Sequence, residues 1–302
     1  MKTFSLPEYG HLPRVKLGET LCDRLHAFYT RHARQSGGKT VFDWGRRSVI
    51  RAQNYVGVVQ IPGLTIEILP KIDRVAQADD QPYATNDQRR VLAQHNLIYM
   101  LSLTQTIPVQ ERDLAGLAVH RLPLLEALMS VFIQRLLGEL KKGLDRAYVH
   151  RTENAHYLKG KLLISQHVRR NAAHKERVYI GYDEFVADTW LNRILKAACR
   201  RLLALSSTVR VQQALREALL HFADVSDHPI QEHHFEKVHL NRNTERFADL
   251  LGFARIVLTK STPTLSQGKS KTFSLLFPME QLFESFIAEF IRRYRNRLGL
   301  ED

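Results

Sequence analysis

Apolar residues follow two rhythms along this chain. Near the start they form short β-like runs, and over most of the rest they recur at helical spacing. Residues 19–34 place Leu21, Leu25 and Phe28 on one face, which predicts an amphipathic helix ended by Gly37-Gly38. Residues 47–53, 56–61 and 64–69 are rich in Val, Ile and Tyr, and Pro62-Gly63 separates the last two, so strands joined by a tight turn are expected. Residues 75–88 carry few large apolar groups and read as a linker. Helical spacing then predicts helices over 96–103, 122–140 (through Leu125, Leu128, Phe132 and Leu136), 186–205, 209–222 and 244–258. Between them, residues 143–165 have Tyr and Val with little helical period, which suggests a hairpin or extended arm. A polar stretch, 261–273, precedes the last segment. There Met279, Leu282, Phe283, Phe286, Ile287, Phe290 and Ile291 form a wide helical stripe that needs a surface to cover it.

The pattern predicts an α+β protein in four parts: a small β-rich N-terminal module over 1–74, a linker over 75–88, a mainly helical block with an extended arm over 89–275, and a terminal helix over 276–302. No internal repeat is visible.

Charge narrows the partners. Forty-four Lys and Arg against thirty-one Asp and Glu leave a net charge of +13, which favours polyanions, nucleic acid first, through phosphate contacts. The two cysteines, Cys22 and Cys199, are far apart and each lies in a helical pattern, so neither a disulfide framework nor a cysteine metal site is expected. No run of eighteen apolar residues occurs, and the first residues lack a signal-peptide core, so a cytoplasmic protein with no membrane partner is expected.

Self-contained catalytic chemistry is hard to find. Ser36-Gly37-Gly38-Lys39-Thr40 resembles a phosphate loop, but Ala33 stands where the first glycine belongs and a helical pattern precedes it, so a helix-ending turn is expected instead. His228, His233, His234 and His239 lie near Asp227 in the densest histidine cluster, without a metal-ligand spacing. Glu139-Leu140-Lys141 fits the letters of a nuclease Glu-x-Lys triplet, yet it ends a helical stripe and reads as a solvated helix end.

A colinear series of segments does resemble a family. Residues 94–103 (QHNLIYMLSL) resemble the "RNIYYML" segment of McrC proteins, the second subunit of McrBC-type modification-dependent restriction systems. Lys142-Gly143-Leu144 followed by Leu158-Lys159-Gly160-Lys161-Leu162 is similar to that family's "RGL … GIKGRI" arm. Residues 182–185 with 189–196 (TWLNRILK) resemble its "FD … D-x-LANRIIK" helix, and His234-Phe235 its later "HF". Residues 282–286 and Arg292-Arg293 resemble the "LYQKF … RR" helix leading into its nuclease domain, and 49–72 the β-rich extension of longer members.

The resemblance implies a DNA-restriction subunit whose stalk, the helical block together with the extended arm, enters the pore of a hexameric McrB-like AAA+ GTPase and stimulates GTP hydrolysis. GTP and Mg²⁺ would be held in the partner complex, with no cofactor or metal on this chain. It makes Lys141, Lys142, Arg146, Arg151, Lys159 and Lys161 the candidate contacts to the GTPase. In the N-terminal module, Arg46, Arg47 and Arg51 become candidate DNA contacts. Glu284 stands where some nucleases place a helix carboxylate. Family members continue into a Pro-Asp … Asp-Ala-Lys nuclease core after this helix, so an incomplete restriction-endonuclease-like fold without cleavage is expected of these residues. Two rival readings remain: a stand-alone basic DNA-binding module, and a nuclease built on the histidine-rich segment.

Overall fold

The computed structural model describes residues 2–35, 40–44, 49–71, 86–104, 122–260 and 272–298. Helix and small sheets are mixed, as the hydrophobic pattern predicts. The first half contains β1 (Lys2–Pro7), β2 (His11–Pro13), α1 (Arg14–Leu17), α2 (Glu19–Gln35), β3 (Phe42–Asp43), β4 (Val49–Ala52), β5 (Tyr55–Ile61), β6 (Leu64–Leu69), α3 (Asn86–Leu103) and α4 (Leu124–Leu140). After these come β7 (Ala147–Ala155), β8 (Lys161–Leu162), α5 (Ile164–Asn171), β9 (Val178–Val186), α6 (Trp190–Leu205), α7 (Val209–His221) and α8 (Glu232–Phe235). A 3₁₀ turn (Glu245–Phe247), α9 (Ala248–Arg255), a π turn (Ile256–Lys260), β10 (Phe273–Pro278) and α10 (Met279–Leu298) complete the order.

The central sheet runs β1-β6-β5-β10. β5 and β6 form the hairpin that Pro62-Gly63 announces, and Gly63 takes the positive φ of 89° that its turn requires. All six residues of β6 are buried, because both faces of the sheet are covered. Val59, Ile61, Leu64, Ile66 and Ile68 join Leu25, Phe28, Phe42 and Ile50 in an N-terminal core. Val56, Val58 and Leu69 instead enter a larger core with Leu97, Leu101, Leu128, Phe132, Leu195, Phe253 and Phe273. One sheet thus serves two cores, and a strand buried on both faces carries near-continuous apolar residues.

Strand β10 lies across residues 275 and 276, where sequence places a boundary. It pairs antiparallel with β5, from Phe273 opposite Gln60 to Pro278 opposite Tyr55, and runs directly into α10. The apolar stripe of α10 is accounted for in part. Leu282 is buried, and Phe286 meets Tyr99 of α3 with ring centroids 5.9 Å apart, while Phe283, Ile287 and Ile291 are exposed.

Two buried carboxylates join the layers. Pro123 has no side chain able to cap α4, and Glu67 of β6 does so from across the fold: Leu124 N donates to its Oε1 at 2.5 Å and Ser5 Oγ to its Oε2 at 2.7 Å. Glu126, inside α4, in turn serves the start of α7. It accepts from Ser206 Oγ (2.8 Å), Ser207 N (2.5 Å) and Thr208 N (3.2 Å). Each helix start in this relay is satisfied by the element packed against it.

Three local expectations change. The segment 244–258 is not one helix but a 3₁₀ turn, a short α-helix and a π turn. Val186 ends a strand and 187–189 form a short connection, so α6 starts only after Thr189, whose Oγ1 accepts from Asn192 N. Helix α3 begins at Asn86, inside the expected linker. Residues 75–85 and the turn at 36–39 lie outside the described residues.

Candidate partner-binding arm

The expected extended arm is a three-stranded sheet, β7-β9-β8, capped by α5. Nine residues of β7 pair antiparallel with β9, from Ala147 opposite Val186 to Ala155 opposite Val178. β7 is exposed along nearly its whole length, whereas β9 buries Tyr179, Ile180 and Gly181 near its start. Cross-strand pairs hold it. Tyr148 and Phe185, directly opposite, have ring centroids 4.8 Å apart. His150 Nδ1 lies 2.9 Å from Asp183 Oδ1, and Arg151 pairs with Glu184. Exposed pairs of this kind each add a few tenths of a kcal/mol and set register more than stability.

At the far end the chain folds back on itself. Asn154 and Asn171 exchange amide hydrogen bonds of 2.9 and 2.8 Å. Tyr179, Ile180 and Ala155 supply a small buried centre. Gly160 sits where β8 meets β9, at φ 74°; a Cβ there would lie 2.6 Å from both Gly181 O and the Cβ of Tyr182. Gly160→Ala is therefore expected to detach β8 from β9 and loosen only the distal arm. Hydrogen exchange should show faster amides at residues 161–162 and 179–182, with the buried strands β5 and β6 unchanged.

Charge concentrates on the segment that joins β7 to β9. Residues 156–177 hold six Lys or Arg (Lys159, Lys161, Arg169, Arg170, Lys175, Arg177) against one Glu, and all six basic residues are exposed. Tyr157, Leu158, Ile164 and Val168 are exposed beside them. Lys159 is oriented rather than free, its ammonium 3.9 Å from the Tyr182 ring centroid.

Of the sequence-predicted contacts, Lys161 on β8 lies opposite Gly181 and Lys159 over Tyr182, level with Arg151 at mid-ribbon, and Arg146 stands just before β7 with its guanidinium 5.8 Å from the Phe185 ring centroid. Lys141 and Lys142 sit at the root just after α4, and Lys142 Nζ pairs with Glu139 at 2.9 Å. Arg51 is elsewhere, exposed on β4 and 5.6 Å from the Tyr9 ring centroid. Arg46 and Arg47 lie outside the described residues. Glu284 is exposed on α10. Sequence reasoning passed over Arg169, Arg170, Lys175 and Arg177; the local charge count over 156–177 is the signal that finds them.

In the histidine-rich segment His234 is a packing residue, while His228, His233 and His239 are exposed. His234 is buried and stacks on Trp190, centroids 4.5 Å apart, with His228 edge-on to the same ring at 5.0 Å. Burial, with His233 and Lys237 nearby, pushes the His234 imidazole below its ordinary range. Among the described residues no group of three or more His, Cys, Asp or Glu side chains is placed to hold a metal ion. Glu139-Leu140-Lys141 ends α4, with Glu139 paired to Lys142 and Arg246.

The arm is joined to the helical body by specific bonds at its root. Arg193 and Asp188 form a bidentate pair (2.8 and 2.6 Å), and Asp188 also accepts from Ser226 N and Oγ at 2.9 Å. The Arg193 guanidinium is the main cause holding the Asp188 carboxyl far below the usual carboxylate range. Because the folded value is depressed, the contribution is complete above the ordinary carboxylate range and is lost only as pH falls well beneath it.

Fold and arm together define a class: a two-core body presenting a rooted, exposed β-ribbon with a basic end. Residues 50–301 match the family described as McrBC 5-methylcytosine restriction system component, and the chain belongs to that family. The curated relative "Type IV methyl-directed restriction enzyme EcoKMcrBC" of Escherichia coli (strain K12) is 24% identical over 213 residues, 68% of this chain. The chain spans 60% of that relative's length. Among solved structures, the cryo-EM structure of the Thermococcus gammatolerans McrBC complex matches with a TM-score of 0.78 at 23% identity, over 97% of this chain and 88% of that one. A half-complex from the tetradecameric assembly of McrB AAA+ hexamers with bound McrC, from the same organism, gives 0.79 at 22% identity, over 97% and 70%. At these identities the structural likeness speaks for the fold. Among the described residues no helix is long and apolar enough to cross a membrane.

Proposed function

We propose that this chain is the McrC-like subunit of a modification-dependent restriction system, and that its arm docks in the pore of a McrB-type AAA+ hexamer and stimulates GTP hydrolysis there. The observation that carries the reading is the distal arm, where six exposed basic residues face one acidic residue on a ribbon standing clear of the body. A lysine or arginine offered in trans neutralises charge that develops on a transferring phosphoryl group, or orders the groups that do so. Lys159, Lys161, Arg169 and Arg170 lead the candidates. Arg146 and Arg151 follow, and Lys141 and Lys142 brace the root. GTP and Mg²⁺ belong to the partner under this reading. Arg46, Arg47 and Arg51 remain candidate phosphate contacts for DNA passing the assembly. The reading assigns no cleavage to residues 1–302: Glu284 alone is not a metal site.

The test is GTP hydrolysis by the cognate McrB-type protein with and without this chain. Saturable stimulation is expected. No stimulation, together with tight, strongly salt-dependent DNA binding by the chain alone, would favour the stand-alone DNA-binding module.

A further inference from the structure

Strand β7 is exposed almost throughout, so the ribbon's direction relative to the body depends on its root. There a single side chain reaches both strands. Asn192, in the first turn of α6, has no exposed surface. Its amide nitrogen donates to Asp145 O (2.8 Å), just before β7, and to Ala187 O (2.6 Å), just after β9. Both acceptors are carbonyls, and the two N–H bonds of the one amide nitrogen serve them. One residue on, Arg193 grips Asp188 with two bonds, and Asp188 in turn holds the backbone and hydroxyl of Ser226 in the loop beyond α7. Arg246 adds a bond of 2.7 Å to Gly143 O on the strand-entry side. Both ends of the ribbon are thus tied to one helical turn, and that turn is anchored in the main core through Leu191, Ile194 and Leu195.

We infer that Asn192 and the Asp188–Arg193 pair are positioning residues that fix the angle of the arm, so that the basic distal end is delivered to one place in a partner. The inference rests, for its functional half, on the reading of the arm as the element that stimulates a GTPase. A side chain acting in trans must arrive within a fraction of an ångström of its target, and small misplacements are costly. A ribbon free to swing at its root spreads its tip over many positions. The root bonds remove that freedom before the partner is met, which is preorganisation. None of the three residues touches the partner in this scheme.

The test uses the full chain carrying Cys22→Ser, with spin labels at Ala173→Cys on the arm and Gln213→Cys on α7, both exposed; Cys199 is buried. Double electron–electron resonance gives the tip-to-body distance distribution, and the same proteins are titrated against the GTPase. The parent is expected to give one narrow distribution. Asn192→Ala and Arg193→Lys should broaden it about twofold or more and lower maximal stimulation by roughly tenfold, while leaving the concentration for half-maximal stimulation nearly unchanged. Arg193→Lys keeps the charge and loses the fork, so it carries the test should Asn192→Ala fail to fold. Distributions as narrow as the parent's in both variants overturn the inference, whatever the stimulation does. Broad distributions with full stimulation overturn its functional half. A parent that never stimulates the GTPase defeats the proposed function instead, and the distance measurement then decides the positioning claim alone.

Discussion

Replacing Lys159, Lys161, Arg169 and Arg170 together with glutamate is expected to abolish stimulation of the partner GTPase while leaving the chain folded. All four side chains are exposed, and substitutions at such positions usually shift stability by no more than about 0.5 kcal/mol each. Opposing a complementary surface with like charge costs several kcal/mol, so an effect of at least about a hundredfold on apparent affinity is expected. Single alanine variants then separate two roles. A residue that only docks the arm raises the concentration needed for half-maximal stimulation and flattens its salt dependence. A residue that reaches the nucleotide lowers the maximal rate, by as much as about a thousandfold for a cation acting in trans. Lys159 is the first to examine, because the Tyr182 ring holds its ammonium in place before any partner arrives. Unchanged stimulation by the fourfold variant would move the contact to Lys141 or Lys142 at the root, or to Arg146 or Arg151 along the ribbon.

The arm was legible as an interruption of helical period but not as a sheet. Over 143–165 the Tyr and Val residues signal extended chain, and β7 is there. Its partner β9 is hidden because VYIGYDEFV is half exposed and runs into the helical signal of Trp190–Leu205 with no glycine or proline between them. β10 was missed for a different reason. Phe273–Pro278 is a short apolar run directly against a long helical stripe, and periodicity cannot divide the two. Its pairing with β5 spans more than two hundred residues of sequence, a contact that no local pattern encodes. The 244–258 segment reads as a helix by spacing, and its 3₁₀ and π turns reflect tertiary packing of Phe247, Phe253 and Val257 in the core. The basic candidates at Lys159 and Lys161 came from likeness to a family arm, while Arg169, Arg170, Lys175 and Arg177 needed the fold to show that they belong to the same arm.

Glu126→Ala is expected to be among the most destabilising single substitutions in this chain, although in sequence Glu126 looks like an ordinary acidic residue in the first turn of a helix. Its side chain is buried against α6 and α7, where Ser206 Oγ, Ser207 N and Thr208 N all donate to it. Truncation leaves those donors with only the long contacts between Ser206 and Thr208, of 3.3 and 3.5 Å, and opens a small cavity as well. Losing a buried, charge-assisted acceptor of this kind costs about 3 kcal/mol or more, so a fall in Tm of roughly 6–12 °C is expected by calorimetry. Glutamine at the same position keeps one oxygen acceptor but turns an amine toward converging donors, and an intermediate loss is expected. Glu284→Ala, on the exposed side of α10, is the control and should leave Tm within about a degree or two. The same logic applies to Glu67, which satisfies the start of α4 behind a proline that cannot do so itself. The body that carries the arm is therefore held together by carboxylates placed where two helix ends meet their neighbours, and an equal Tm for Glu126→Ala and Glu284→Ala would refute that account.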